Sequence, residues 1–211
     1  MNRSRRKILA VGAHPDDIEL GCAGTLALHK KRGDKVYSLV LTRGEASGEM
    51  EIREKECRIA AEILCVDGLF FGGLHDTKVH DGRETIDVIE KIIDQVKPDI
   101  IYAPSSKDTH QDHRNTGYAT LSAGRRCQII LLYEGASTQR DFTPQVFVNI
   151  EETLELKKTA IGVFGSQIKN NKRGGYSAAT KAIEGLAKYR GYQAGADVAE
   201  AFEVGKFIFE V

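Results

Sequence analysis

Short apolar runs alternate along this chain with longer amphipathic segments, and few folds accommodate that alternation. Lys7–Ala13 (KILAVGA), Val36–Leu41 (VYSLVL), Gly68–Phe71, Ile100–Ala103 (IIYA), Ile129–Tyr133 and Val146–Ile150 read as strands. Runs that are apolar at nearly every position suit strands covered on both faces. Between them, helical spacing predicts helices over Glu19–Lys31, Arg53–Leu64, Glu84–Val96, Asp112–Leu121, Thr153–Val163 and Ser177–Arg190. Gly33 closes the first helix, Pro98 stops the third, and Ser177 is the expected N-cap of the last. His29 falls on the predicted surface of its helix. The polar, glycine-bearing Ile168–Tyr176 reads as an exposed loop, and Ala201–Val211 as a closing strand. Strand–helix repetition of this kind predicts an α/β, Rossmann-like three-layer sandwich with a mainly parallel sheet. At 211 residues the chain is expected to form one domain, spanning 1–211.

Charge and cysteine usage remove several function classes. Thirty basic and thirty acidic residues cancel, so no nucleic-acid surface is expected. The basic clusters Arg3, Arg5, Arg6, Lys7 and Lys169, Lys172, Arg173 read as a solvated terminus and a solvated loop. Cys22, Cys57, Cys65 and Cys127 form no CxxC pair, and the first three are expected to pack as small core residues. Reduced thiols and the lack of a long apolar stretch at the N-terminus point to a cytoplasmic protein. No run of eighteen apolar residues is present, so no membrane span is expected. Gly12, Gly21 and Gly24 lack the GxGxxG spacing of a dinucleotide site, and two adjacent aspartates would repel phosphate.

Chemistry concentrates at two strand ends, where parallel α/β sheets place ligands. The first strand runs into Ala13-His14-Pro15-Asp16-Asp17. His14 and Asp17 offer an imidazole nitrogen and a carboxylate oxygen, both good zinc ligands, and Pro15 stiffens the turn between them. Asp16 is left free to act on water. A helix N-terminus accounts for one aspartate here, but not for a histidine with two acids. The fourth strand leads to Asp108-Thr109-His110-Gln111-Asp112-His113. His113 can complete a set with His14 and Asp17, and three protein ligands with an open fourth position is the pattern of catalytic zinc. His110, three residues earlier, can face substrate, and Asp112 can bond an imidazole and favour a protonated His110. His75 and His80 read as bystanders in a polar loop.

The AHPDD motif, the following Glu19-Leu20-Gly21-Cys22-Ala23-Gly24-Thr25-Leu26, and the later HQDH together resemble the PIG-L/LmbE-like N-deacetylase family. The likeness continues through Leu41–Glu45, Arg53 with Glu56, Lys157, Ser166-Gln167, Arg190-Gly191 and Ala199–Phe202; Arg43 stands where members often carry aspartate. The resemblance implies an LmbE-like fold, zinc (or another divalent metal such as Fe2+) on His14, Asp17 and His113, and Asp16 as general base. It implies His110 as the group that stabilises the oxyanion or protonates the leaving amine, tuned by Asp112. Arg53 and Tyr192 are implied at the substrate. The implied reaction removes acetyl from an N-acetylglucosamine-containing small molecule in a homo-oligomer, with a hexamer as one form. Inositol, malate, a second sugar and a lipid all remain compatible as the aglycone, with Gly135–Pro144 and Ile168–Tyr176 as recognising loops. A zinc hydrolase of another amide or ester competes with this reading, as does a non-catalytic zinc-binding protein on the same fold.

Overall fold

The computed structural model describes residues 5–170 and 175–208. Its elements run β1 (Lys7–Gly12), α1 (Asp17–Lys31), β2 (Lys35–Val40), α2 (Met50–Ile63), β3 (Gly68–Phe71), α3 (Arg83–Val96), β4 (Ile100–Pro104), α4 (Gln111–Ala123) and β5 (Ile129–Tyr133). Then follow β6 (Val146–Asn149), α5 (Leu154–Gly162), α6 (Gly165–Asn170), α7 (Gly175–Ala194) and β7 (Ala199–Phe207). The seven strands form one sheet in the order β3-β2-β1-β4-β5-β7-β6. The first five are mutually parallel, whereas β7 runs antiparallel to both β5 and β6.

Alternation along the strands divides two cores. Ile8, Ala10, Val36, Tyr102 and Leu131 face α1, α2 and α5 on one side of the sheet. Leu9, Val11, Leu39, Ile101 and Leu132 face α3 and α4 on the other. The architecture is therefore the expected three-layer sandwich with a mainly parallel sheet. Strand order reverses between β1 and β4, and the crevice beyond their carboxyl ends is where such a sheet binds ligands.

Several local expectations need correction. His29 is buried, not on the surface: Nδ1 pairs with Asp34 Oδ2 at 2.7 Å and Nε2 with the Tyr102 hydroxyl at 3.0 Å. A helix face reads as polar when its buried polar group finds partners far along the chain. Cys65 is exposed, at a positive φ of 54°, while Cys22, Cys57 and Cys127 are buried. The expected loop Ile168–Tyr176 is helical up to Asn170 and again from Gly175, so Ser177 lies inside α7 and is not its N-cap. Arg3, Lys172 and Arg173 lie outside the described residues. Among the described residues no helix is long and apolar enough to cross a membrane.

Candidate metal centre and active site

β1 delivers His14 and Asp17 through a turn that bonds to itself. Asp17 Oδ2 accepts the backbone N–H groups of Ala13 at 2.9 Å and His14 at 2.8 Å. Between them Asp16 adopts φ 104°, ψ −23°, a left-handed conformation that costs a non-glycine residue on the order of 1–3 kcal/mol. Arg53 holds the turn there. Only 2% exposed, it donates Nη2 to the Pro15 carbonyl at 2.7 Å and lies 3.5 Å from Asp16 Oδ1, while Nη1 reaches the Gly44 carbonyl at 3.0 Å and Ser47 Oγ. Gly44, at φ 69°, is required twice over, because a Cβ would strike the guanidinium.

From the end of β4 and the start of α4 come His110, Asp112 and His113. His14 Nδ1 is 3.2 Å from His113 Nε2, which lies 3.1 Å from Asp17 Oδ1; Asp17 Oδ2 is 3.4 Å from His14 Nδ1. A tetrahedral ion bound at about 2.0–2.1 Å sets its ligand atoms about 3.3–3.4 Å apart. The two imidazole nitrogens stand near that spacing, and the Asp17 carboxylate reaches them through different oxygens, Oδ1 toward His113 and Oδ2 toward His14. The His110 ring completes a rim, stacked on His113 at 4.5 Å between centroids and edge-on to His14 at 4.9 Å. One nitrogen from each of the three histidines falls within a 4.8 Å group.

The far nitrogen of each ligand-type histidine meets a carboxylate. His14 Nε2 lies 3.0 Å from Asp76 Oδ1 and 3.2 Å from Asp112 Oδ2. His113 Nδ1 lies 3.3 Å from Asp108 Oδ2, and Asp108 is fixed by Ser137 Oγ at 2.6 Å and the His110 N–H at 2.8 Å. Sequence reasoning assigns no role to Asp76 or Asp108. Burial opposes protonation of His14, but Asp112, Asp17 and Asp76 outweigh it and push it up to about 12. His113 is raised against burial to about 10, chiefly by Asp17 and Asp108. Burial works against Asp17 too, yet the two histidines hold it well below the usual carboxylate range. Four buried carboxylates around two imidazoles favour a cation.

Asp16 behaves oppositely: burial and the Asp17 charge push it up to about 7, against the pull of Arg53 and the histidines. Three expectations change here. Asp112 acts on the His110 side chain only through its charge, which raises the imidazole, and not through a side-chain hydrogen bond; its oxygens take His14, the Thr77 N–H at 2.7 Å and the Val79 N–H at 3.3 Å. His110 Nδ1 instead accepts the Asp112 N–H at 3.3 Å, and burial with the neighbouring His113 and His14 charges lowers its pKa, so it is neutral with its proton on Nε2. Arg53 is walled in by backbone carbonyls rather than presented to substrate. Tyr192 stands 85% exposed on α7 and lines neither the centre nor the cavity beside it. His75 and His80 are exposed, as expected of bystanders.

A cavity of about 650 Å3 opens beside Asp16, between α1, α5 and α7. Leu20, Phe164 and Ile183 supply apolar wall; Lys157, Glu200 and Arg190 supply polar wall. The charges are satisfied internally. Lys157 Nζ pairs with Glu200 Oε1 at 2.5 Å and donates to the Leu20 carbonyl at 2.7 Å, while Glu200 accepts the Gly24 and Thr25 N–H groups at 2.9 and 2.7 Å. Arg190 forms a bidentate pair with Glu134 at 2.7 and 2.6 Å. The cavity falls within the usual range for a small-molecule site, ~300–1,000 Å3.

Residues 9–124 match the PIG-L family model, described as GlcNAc-PI de-N-acetylase. The uncharacterized deacetylase YaiS of Escherichia coli (strain K12) is 37% identical over 163 residues, covering 74% of this chain and 88% of that protein. The diacetylchitobiose deacetylase of Thermococcus kodakarensis is 29% identical over 187 residues, 77% of this chain and 70% of its own length. Among solved structures, the conserved protein TT1542 from Thermus thermophilus superposes with a TM-score of 0.87 at 29% identity, covering 98% of this chain and 97% of that one.

Proposed function

Because the chain belongs to the PIG-L family, we propose that it is a zinc-dependent N-deacetylase. Working as one domain, it hydrolyses the acetamide of an N-acetylglucosamine-containing substrate to acetate and a free amino sugar. The observation that carries this reading is the convergence of His14 Nδ1, His113 Nε2 and the Asp17 carboxylate, whose nearest donor atoms lie 3.1 to 3.4 Å from one another. His14, Asp17 and His113 hold zinc in this reading, with Fe2+ also suited to two imidazoles and a carboxylate. An ion held there would supply a Lewis acid for the amide carbonyl and for the attacking water.

The remaining chemistry belongs to the side chains. Asp16, raised to about 7, is matched to taking a proton from the attacking water near neutral pH. As the C–N bond breaks, the same carboxyl returns that proton to the nitrogen, so the base regenerates itself. His110 presents Nε2–H to the carbonyl oxygen, stabilising developing negative charge as a neutral donor. The cavity past Asp16 has room for a sugar, and the deacetylases named among the relatives support an acetamide as the target.

The test joins metal analysis of the purified protein to an amine-release assay on N-acetylglucosamine and its conjugates, with N-acetyl amino acids alongside. Bound zinc and release from the sugars alone are expected. Release only from amino acids would assign another amidase, and metal without any release would leave a binding protein.

A further inference from the structure

Both cations on the wall of the large cavity are already matched from within the protein. Among the described residues that line it, Lys157 and Arg190 stand against three carboxylates, Asp16, Glu134 and Glu200. Arg190 is buried, and each of its three nitrogens has an acceptor. Nε and Nη2 clasp the two Glu134 oxygens, and Nη1 donates to Gln193 Oε1 at 2.7 Å. The faces of the guanidinium are occupied as well, 5.0 Å from the Tyr189 ring centroid and 5.4 Å from that of Phe142. Lys157 is buried against Glu200 and the Leu20 carbonyl, and both Glu200 oxygens also take α1 amides.

A ligand therefore meets apolar wall and one carboxylate in excess. A phosphate or carboxylate would lose its water against Leu20, Phe164 and Ile183. It would gain a cation only if Arg190 released Glu134 or Lys157 released Glu200. Either exchange leaves the displaced carboxylate buried and uncompensated, which is strongly unfavourable. The newcomer would also share the cavity with Asp16, a like charge. Neutral hydroxyls meet neither penalty, and the uncharged Thr138 and Gln167 lie on the same wall.

We propose that this cavity selects uncharged aglycones, so that the protein acts on neutral glycosides of N-acetylglucosamine and discriminates against those carrying phosphate or carboxylate. The inference rests on the deacetylase reading above and adds the charge class of its substrate. Of the aglycones compatible with the sequence, malate, a dicarboxylate, is disfavoured, as is a lipid linked through phosphate. Inositol and a second sugar are retained.

The experiment measures kcat/KM by amine release for two phenyl glycosides of N-acetylglucosamine, one with a para carboxamide and one with a para carboxylate. The two aglycones match in size and differ in charge. The wild-type protein is expected to prefer the carboxamide by at least ~10-fold, since bringing like charges together is worth that much or more. Glu134→Gln leaves Arg190 without its counter-ion and is expected to bring the ratio within a few-fold of one. Ala182→Lys guards against a simple loss of folding: it adds a cation at an exposed position of α7 on the cavity wall, where lysine suits a helix, and is expected to lower the ratio several-fold. Equal use of the two glycosides by the wild type, or a preference for the carboxylate, overturns the charge selection while leaving deacetylation intact. A ratio unmoved in both variants does the same. Failure to release amine from either glycoside and from N-acetylglucosamine itself overturns the deacetylase reading and the charge selection with it.

Discussion

Removing the Asp76 carboxylate should weaken metal binding while leaving all three candidate ligands in place. Asp76 Oδ1 stands 3.0 Å from His14 Nε2, opposite the nitrogen that faces His113 and Asp17. A hydrogen bond to a charged group contributes about 1.5–3 kcal/mol. Asp112 Oδ2, 3.2 Å from the same nitrogen, retains part of that hold. Outer carboxylates on metal-bound histidines are worth about 10- to 100-fold in affinity, or roughly 1.4–2.7 kcal/mol. Asp76→Ala is therefore expected to lower zinc affinity within that range, and Asp76→Asn, which can still accept the Nε2 proton, by less. Competition with a chromophoric chelator measures this directly. Because Asp76 also accepts the Ala46 N–H at 3.0 Å, a melting curve of each metal-free variant separates loosened loops from a mis-set ligand. Affinity in Asp76→Ala equal to the wild type would refute the argument, because His14 would then need no such partner.

Five further outcomes follow from the same geometry. Asp16→Asn should abolish amine release with metal content near normal; wild-type turnover in that variant would remove Asp16 as base. Asp16 is raised to about 7, so its ionised, proton-accepting form is lost as pH falls through that value, and log kcat/KM should drop by about one per pH unit below it; a flat profile down to pH 5 would contradict this. The carboxylates around His14 and His113 raise both imidazoles to about 12 and about 10, so zinc binding should release protons at pH 7 and tighten with rising pH. Calorimetry in buffers of different ionisation enthalpy counts them, and a count of zero would be decisive against. Tyr192→Phe should leave kcat and KM unchanged, given 85% exposure, whereas Gly21→Ala should cost about 1–3 kcal/mol or more through overlap with Tyr133, read as a lower Tm.

What can be read in advance is local in sequence. β1, β4 and β5 are continuous apolar runs, and the two motifs follow the first two closely, so strand, turn and donors arrive together. His14 and Asp17 share one turn, and their convergence needs only the sheet to bring His113 alongside. Partners contributed by separate loops are illegible. Asp76 sits in a polar stretch, Leu74–Asp81, where nothing marks one aspartate above another until β3 and α3 set it against His14. His29 reads as a surface residue because Tyr102, its partner, lies 73 positions away. Asp112 stands out within its motif, but its side chain turns toward His14 while its backbone N–H serves His110, a division of labour invisible in a string of letters.

The pair formed by Lys157 and Glu200 has a consequence for how this molecule can be divided. Every donor in the centre lies within residues 9–124, yet α1, which carries Asp17, has the Leu20 carbonyl and the Gly24 and Thr25 amides bound by side chains from far downstream. A fragment cut after position 124 would keep each metal-binding group and lose the clamp that aligns them. Recombination with a foreign C-terminal segment should succeed only where the incoming piece brings its own lysine and glutamate to the same two turns of that helix.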